Sequence, residues 1–180
     1  MADRLAAAGV EVQRVSFAHP DVRQLESAVQ AEYVQIYGAG DQTPLADDMF
    51  EPPAGIFLLA YAGGEPIAMG GWRVRPDVTE LVEPAVAELK RMYVVPHRRG
   101  TGLARVLLSR LEVTAREAGM GMMILETGQP QAAAVGLYRS AGYTDTVRFG
   151  YYADVEQAVY LGKPLRSELP SDPSSDLPSG

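Results

Sequence analysis

The sequence predicts one domain of the mixed α/β class, built on a single sheet that contains one parallel crossover. At 180 residues, with 47% hydrophobic and 22% charged residues, the chain is long enough to bury a full core and has the composition of an ordinary globular protein. Segments of strand and helix periodicity follow one another as strand, helix, β-hairpin, strand, helix, strand, helix and two closing strands. This order predicts a mixed sheet with helices packed against it.

The first half of the chain predicts a strand, a helix, a long loop and a β-hairpin. Apolar residues at helical spacing end at Gly38, and two later apolar runs are joined through Gly63-Gly64, a hairpin signal. The loop is rich in Gly, Pro and Asp, and long loops in compact domains usually act as lids or binding loops. The predicted elements are a strand at 11–17, a helix at 21–37, the loop at 38–55, strands at 56–61 and 67–74, and a connection at 75–87.

The second half predicts a strand–helix–strand–helix order and two closing strands. Pro96 ends the first of these strands, because proline cannot donate a ladder hydrogen bond, and Gly119 ends the helix that follows. The last residues are Ser, Pro and acidic with almost nothing apolar, which is typical of a disordered tail. The predicted elements are strands at 88–95, 122–128, 143–149 and 158–163, helices at 103–118 and 130–142, a folded domain over 1–165 and the tail at 166–180.

Composition argues against several classes of protein. The chain has no cysteine, and its two histidines, His19 and His97, lie far apart, so neither a disulfide framework nor a metal site is expected. No signal peptide and no apolar run of membrane-spanning length are recognisable, which makes a cytoplasmic address the expectation. A net charge of −7 disfavours nucleic-acid binding. We therefore expect a monomer or homodimer without nucleic-acid or membrane partners.

Residues 96–108, PHRRGTGLARVLL, predict an anion site. A glycine-rich turn between a strand and a helix leaves the first N–H groups of the helix unpaired, at the positive end of its dipole. Residues 88–117 hold seven basic and three acidic residues, a local charge of +4 in an acidic chain. The P-loop motif is excluded because no lysine follows Gly102, and the dinucleotide motif fails because Arg105 stands where its third glycine belongs.

The turn resembles a known signature. Arg99-Gly100-Thr101-Gly102-Leu103-Ala104 is similar to the Arg/Gln-x-x-Gly-x-Gly/Ala motif of the GNAT acyl-CoA N-acyltransferases, whose backbone amides hold the coenzyme A pyrophosphate. Gln131-x-x-Ala134-x-x-Leu137-Tyr138-x-x-x-Gly142-Tyr143 resembles their second signature, with Gln131 in place of Asn and Tyr143 in place of Phe. The resemblance covers about residues 11–165. It implies a mostly antiparallel sheet with one parallel pair splayed around the cofactor and flanked by helices.

The resemblance implies acetyl-CoA as acyl donor and assigns residues to its binding. The strand-edge backbone would contact the pantetheine arm, the glycines would allow close approach to phosphate, and the arginines would add charge, although at least one of them is expected to be only solvated. His97 would lie nearer the phosphates than the amine. The expected cofactor-binding residues are Met92, Tyr93, Val94, Arg98, Arg99, Gly100, Thr101, Gly102, Leu103, Ala104, Arg105, Gln131 and Tyr138.

Two catalytic residues are expected. The resemblance implies that Tyr138 protonates the departing thiolate, whereas its position on an apolar helical face is also compatible with a core tyrosine. Glu88 would accept the amine proton or would be a solvated strand-end acid, with Glu126 as the reserve candidate. The expected function is an N-acetyltransferase acting on a primary amine of a small molecule or peptide by direct attack. A non-catalytic acyl-CoA-binding regulatory module is the alternative.

The acceptor amine is expected to bind beside the long loop. The predicted frame is the 38–55 loop, the end of the first helix and the 149–154 turn, whose acidic side chains would attract a cationic amine. The residues concerned are Tyr33, Tyr37, Asp41, Asp47, Asp48, Glu51 and Asp154.

Overall fold

The protein is described by a computed structural model that covers residues 9–81 and 85–165. Within those residues it contains seven strands, three α-helices and two short 3-10 helices. The strands are β1 (Val10–Val15), β2 (Gly55–Ala62), β3 (Glu65–Val74), β4 (Val86–Val94), β5 (Met122–Gly128), β6 (Thr144–Asp145) and β7 (Ala158–Pro164). The α-helices are α1 (Pro20–Tyr37), α2 (Leu103–Glu117) and α3 (Ala132–Ser140), and the 3-10 helices are Asp47–Phe50 and Pro96–Arg98.

All seven strands belong to one sheet, in the order β1-β2-β3-β4-β5-β7-β6. Every neighbouring pair is antiparallel except β4 and β5, which are parallel and joined by α2. The predicted fold class, a mostly antiparallel mixed sheet with one parallel pair and flanking helices, is confirmed.

The parallel pair separates after three residues. Val86 to Glu88 pair with Met122 to Ile124, and beyond that point no ladder joins β4 to β5. A bulge bends β4 in this region, because one residue of β3 (Gly70) lies opposite two of β4 (Arg91 and Met92). The two strands therefore diverge and leave a gap in the middle of the sheet.

Both faces of the sheet are covered. The Gly70 side of β3 faces α2, since a Cβ there would lie 3.1 Å from Leu111, and the Trp72 indole donates to Thr114 Oγ1 at 3.0 Å on the same helix. The opposite face carries an aromatic cluster in which Phe17, Phe50 and Phe57 lie 4.7–5.3 Å apart between ring centres. α2 therefore packs on one face of β3, and the aromatic cluster packs on the other.

One predicted strand is wrong over most of its length. The expected strand at 143–149 is reduced to Thr144 and Asp145, which pair with β7. The chain then turns over the face of β7, because Phe149 packs edge-on against Tyr160 at 5.2 Å instead of continuing alongside it. The loop at 38–55 also contains a 3-10 helix that was not predicted. The predicted tail at 166–180 lies outside the described residues.

Candidate active site

A cavity of about 410 Å³ occupies the gap between the diverging strands. Its walls come from the end of α1, the start of the 38–55 loop, β4, β5, α3 and the residues just before β7. The cavity exists because β4 and β5 part after Glu88, so its position follows directly from the sheet topology.

The turn between β4 and α2 has the backbone geometry of an anion cradle. Gly100 and Gly102 have φ values of +76° and +84°, a left-handed conformation that strongly favours glycine. Gly102 is the N-cap of α2, and no backbone hydrogen bond within the described chain engages the N–H groups of residues 100–104. These free donors stand at the positive end of the helix dipole, as an anion site requires.

The three arginines of the turn differ in their contacts. Arg99 is held by Glu32, with Nη2 2.6 and 2.9 Å from its carboxylate oxygens, and its Nε donates to Val94 O. Arg105 donates to Ser140. Arg98 Nε, by contrast, is buried and has no hydrogen-bond partner in the described chain. Of the three, Arg98 therefore has the unsatisfied donor that an anionic ligand would pair with.

His97 lies on the outer side of the same turn. Its Nε2 is 3.3 Å from a carboxylate oxygen of Glu65, and its side chain is more than half exposed.

The cavity wall includes some of the expected pantetheine contacts. Met92, on the β4 edge left free by β5, lies on the wall together with Gln131, whose Oε1 accepts from Thr127 Oγ1 at 2.9 Å. Tyr93 and Val94 do not line it. The Tyr93 hydroxyl donates to Glu32 at 3.0 Å, and Val94 contributes its carbonyl to Arg99. Of the three strand residues predicted to contact pantetheine, Met92 lines the cavity, and Tyr93 and Val94 do not.

Tyr138 lies on α3 at the cavity wall. Its ring packs edge-on against Tyr143 with 5.7 Å between ring centres, and its side chain is buried. Burial raises the pKa of its hydroxyl, so the group stays protonated at neutral pH. No hydrogen bond within the described chain involves this hydroxyl, which leaves it free as a proton donor.

Glu88 is enclosed by cations and does not line the cavity. It is 2% exposed, and one carboxylate oxygen accepts from Arg73 Nε at 2.8 Å and Arg75 Nη1 at 2.6 Å. Lys90 Nζ lies 3.6 Å from the other oxygen. Burial by itself would raise the pKa of the Glu88 carboxyl, but Lys90, Arg73 and Arg75 together outweigh it and lower that pKa.

Glu126 is in a contrasting environment. It lies on β5, lines the cavity and is only half-buried, and no hydrogen bond or ion pair within the described chain engages its carboxylate. Burial, the largest cause, raises the pKa of this carboxyl. A carboxylate with a raised pKa and an open side has the properties of a general base.

The 38–55 loop and the 149–154 turn meet over the cavity. The Tyr152 hydroxyl donates to Asp41 at 3.1 Å and accepts from Gln42 N at 2.7 Å. Asp41 also pairs with Arg91 of β4 and accepts from Thr43 N. Burial would raise the pKa of the Asp41 carboxyl, but Lys90 and Arg91 outweigh it and lower that pKa to about 2.

Some of the other predicted acceptor-site residues line the cavity, and others do not. Tyr33 and Tyr37, at the end of α1, lie on the cavity wall together with Asp41 of the loop. Asp47 instead pairs with Arg23, and the wall does not include Asp48, Glu51 or Asp154. Of the five acidic residues expected to attract the amine, Asp41 is the one that lines the cavity; Glu126 of β5 is a second acid on the wall.

Lys90 and Arg91 line the cavity but were not among the predicted site residues. Arg91 sits in the β4 bulge with φ +57°, an unusual backbone conformation for a residue with a side chain, and contacts Asp41 and Glu26. Two consecutive basic residues inside a mostly apolar strand were the available sequence signal.

Two further properties of the described residues bear on the site. None of their helices is both long and apolar enough to cross a membrane. They also contain no group of three or more His, Cys, Asp or Glu side chains arranged to hold a metal ion.

Comparison with known proteins agrees with this geometry. The family model described as "Acetyltransferase (GNAT) family" matches residues 22–143. This span contains the turn, the cavity strands and α3. The chain belongs to the GNAT acetyltransferase family. Its resemblance to that family, expected from the two signatures, is confirmed.

Individual relatives support the assignment. The chain is 37% identical over 109 residues to an IAA acetyltransferase of Azospirillum brasilense, and the match covers 61% of this chain and 67% of that protein. A Klebsiella pneumoniae structure assigned as an acyl-CoA N-acyltransferase has TM-score 0.72 and 27% identity over 88% of this chain and 99% of its own. A Salmonella typhimurium acetyltransferase solved with its cofactor acetyl-CoA has TM-score 0.65 and 18% identity, covering 92% and 99%.

The acyl donor of this family is acetyl-CoA, and the residues present fit it. The free N–H groups of the β4–α2 turn and the orphaned Arg98 Nε suit the pyrophosphate. The unpaired edge of β4 beyond Glu88 has backbone groups that would suit the pantetheine amides, and the adjacent cavity would take the thioester end.

Proposed function

We propose that this GNAT acetyltransferase is an N-acetyltransferase that transfers the acetyl group of acetyl-CoA to a primary amine of a small molecule or peptide. The transfer occurs by direct attack in a ternary complex. One observation carries the proposal: Tyr138 and Glu126 line the same cavity, and neither side chain is engaged by a hydrogen bond within the described chain. The cavity thus holds one free proton donor and one free proton acceptor, the two groups that amine acylation needs.

Glu126 acts first. The neutral amine nitrogen attacks the thioester carbonyl carbon, and Glu126 accepts the proton that the nitrogen loses as the new N–C bond forms. The raised pKa of this carboxyl favours its acting as a base near neutral pH, because proton transfer is most efficient when the pKa of the base lies near the working pH.

Tyr138 completes the transfer. As the carbonyl reforms and the C–S bond breaks, the Tyr138 hydroxyl donates its proton to the sulfur, so that the products are the amide and the free thiol. Water then carries the proton from Glu126 back to the tyrosine oxygen. The edge of β4 near Met92 supplies N–H donors for the transient negative oxygen.

We assign the base to Glu126 rather than to Glu88. One oxygen of the Glu88 carboxylate already accepts from Arg73 and Arg75, and Lys90 together with these arginines lowers its pKa, which makes it a weaker base. Glu88 also stands away from the cavity wall, whereas Glu126 lines it. We therefore propose that Glu88 organises the cations beside the site.

The test is release of free coenzyme A from acetyl-CoA in the presence of a panel of primary amines, with mass spectrometry of the products. Amine-dependent thiol release with the matching N-acetyl product is the expected result. Binding of acetyl-CoA without turnover of any amine would instead favour the non-catalytic regulatory module. That alternative gives no reason for an unengaged donor and an unengaged acceptor to share the cavity.

A further inference from the structure

Lys90 is a buried cation whose hydrogen-bond donors are not satisfied by the protein. Its side chain is 6% exposed and belongs to the cavity wall. The nearest carboxylate oxygens, of Glu88 and Asp41, lie 3.6 and 3.9 Å from Nζ, beyond hydrogen-bonding distance. Within the described chain its ammonium group donates no hydrogen bond. A buried ammonium has three donors to satisfy, and leaving them unmade is costly.

The neighbours of Lys90 are already committed to other partners. Glu88 Oε2 accepts from Arg73 and Arg75, and Asp41 is occupied by Arg91, Thr43 N and the Tyr152 hydroxyl. These bonds hold both carboxylates in place, with Nζ outside hydrogen-bonding distance of each. An acceptor atom on a ligand in the cavity would complete the hydrogen bonding of the ammonium group.

The cavity wall also carries a charge of the opposite sign. Glu126 lies on the same wall, close enough to Lys90 for their charges to interact, and is likewise unengaged. A simple cationic amine would satisfy Glu126 but would be repelled by Lys90. A molecule that carries both an amine and a carboxylate satisfies both groups.

We infer that the acceptor of this enzyme is a small amino acid-like amine whose carboxylate binds Lys90 Nζ while its amino group lies beside Glu126. This inference rests on the proposed N-acetyltransferase function and specifies its substrate class. Asp41 and Glu88 hold the Lys90 side chain in place from two sides without neutralising its hydrogen-bonding capacity, and Tyr152 fixes Asp41 in turn.

The test compares acceptors that differ only in the carboxylate. L-Amino acids, their α-carboxamides and the corresponding decarboxylated amines are assayed with wild type, Lys90→Met and Lys90→Arg. Wild type should prefer the acids, and Lys90→Met should lose about a hundredfold in kcat/KM on the acids, mainly through KM, but less than about threefold on the amides. Lys90→Arg should restore part of the loss, because it keeps the charge.

Two controls keep the outcome clear. Lys163→Met removes a lysine that pairs with Glu112 on a different part of the sheet, and it should leave the acid-to-amide ratio unchanged. Calorimetric titration of the acids and amides into the coenzyme A complex measures recognition without turnover, so failure of catalysis is distinguishable from failure of carboxylate binding. Equal binding of acids and amides, no binding of either, or an equal loss of both in Lys90→Met would overturn the inference.

Discussion

At the scale of single residues, the site depends on which polar groups are left unengaged. Tyr138 and Glu126 are on the cavity wall without hydrogen bonds in the described chain, whereas one oxygen of Glu88 accepts from both Arg73 and Arg75. Groups of identical chemistry thus acquire different roles from their surroundings, because neighbouring charge and burial set both pKa and availability. Substitutions at these three positions should separate catalysis from stability.

Replacing Tyr138 by Phe should reduce turnover without unfolding the protein. The ring and its packing on Tyr143 are kept, and only the unengaged hydroxyl is lost. We expect kcat to fall roughly tenfold to a thousandfold if thiolate protonation limits the rate, with the affinity for acetyl-CoA unchanged. Steady-state kinetics and thermal unfolding measure the two effects. An unchanged kcat would reduce Tyr138 to a packing residue.

Replacing Glu126 by Gln should change the pH profile. The base must be deprotonated to act, and burial raises its pKa, so kcat/KM of wild type should rise as the pH increases through that raised value. Glu126→Gln should lose this limb. Its stability at neutral pH should be equal or slightly higher, because a raised pKa means that the ionised carboxylate is less favourable in the folded state than in the unfolded state. A retained limb would exclude Glu126 as the base.

Glu88→Gln is the contrasting variant. Removing the negative charge leaves Arg73 and Arg75 buried beside a neutral group, and breaking a buried ion pair in this way costs about 3–5 kcal/mol. We expect a fall in Tm of at least about 6 °C in a chain of this size. Thermal unfolding of Glu88→Gln and Glu126→Gln side by side checks the assignment, and a Tm loss confined to Glu126→Gln would reverse it.

At the scale of elements, the site is built by two devices, a glycine-rich turn and a loop tied across the cavity. The turn presents free N–H groups because Gly102 caps α2 in a left-handed conformation. The loop is held by Asp41, which connects Arg91 of the β4 bulge with Tyr152 of the 149–154 turn. Each device depends on one residue and can be tested through it.

Gly102→Ala should weaken coenzyme A binding more than it weakens the fold. A Cβ at φ +84° costs about 1–2 kcal/mol in strain and stands next to the free N–H groups of the turn. Gly119→Ala is the matched control, since Gly119 has φ +85°, open surroundings and a position at the other end of α2. Calorimetric titration should show a loss of affinity only in Gly102→Ala. Equal affinities of the two variants would contradict a phosphate role for the turn.

Asp41→Asn should destabilise the protein by an amount that depends on pH. Its folded pKa of about 2 lies below the ordinary value of 3.8, so the ionised form stabilises the fold by about 2 kcal/mol at pH 7. This contribution is complete above about pH 4 and declines as the pH falls toward 2. The difference in unfolding free energy between wild type and variant, measured in urea from pH 7 downward, should shrink over that window. A difference independent of pH would show that the charge of Asp41 is not the cause.

At the scale of the whole molecule, the candidate active site lies where two long strands of the sheet are paired least. β4 and β5 are paired with each other at only three positions. The other neighbouring pairs among the strands of five or more residues are joined over most of their length. A ligand that fills the gap replaces the missing contacts between the two halves of the sheet. Binding of the acyl donor should therefore stabilise the entire domain.

Acetyl-CoA should raise the melting temperature, whereas ATP and NAD should not. At a hundred times its dissociation constant a ligand adds about 2.7 kcal/mol to stability, which corresponds to a shift of about 5–10 °C for a chain of this length. Differential scanning fluorimetry with the three ligands measures this. An equal shift with ATP would mean that the turn reads phosphate alone and that the pantetheine gap contributes nothing.

Local sequence was sufficient for much of this architecture. The apolar periodicities predicted β5 at 122–128 without error and placed α1 and α2 within a residue or two of their observed ends, because helix and strand periods are set by neighbouring residues. The glycine-rich turn was likewise recognisable, since its chemistry depends on one contiguous segment. The strand at 143–149 failed because Phe149 packs on Tyr160, a contact that its neighbours in sequence do not encode.

The roles of the charged residues required the assembled sheet. Glu88 and Glu126 each stand in a predicted strand, and nothing adjacent to them in sequence indicates that Arg73 and Arg75 surround the first while the second faces a cavity. The same holds for Lys90, whose unsatisfied ammonium arises from Asp41 and Glu88 being held by other partners. Burial and charge pairing depend on contacts between residues distant in the chain, and these contacts form only when the sheet is complete.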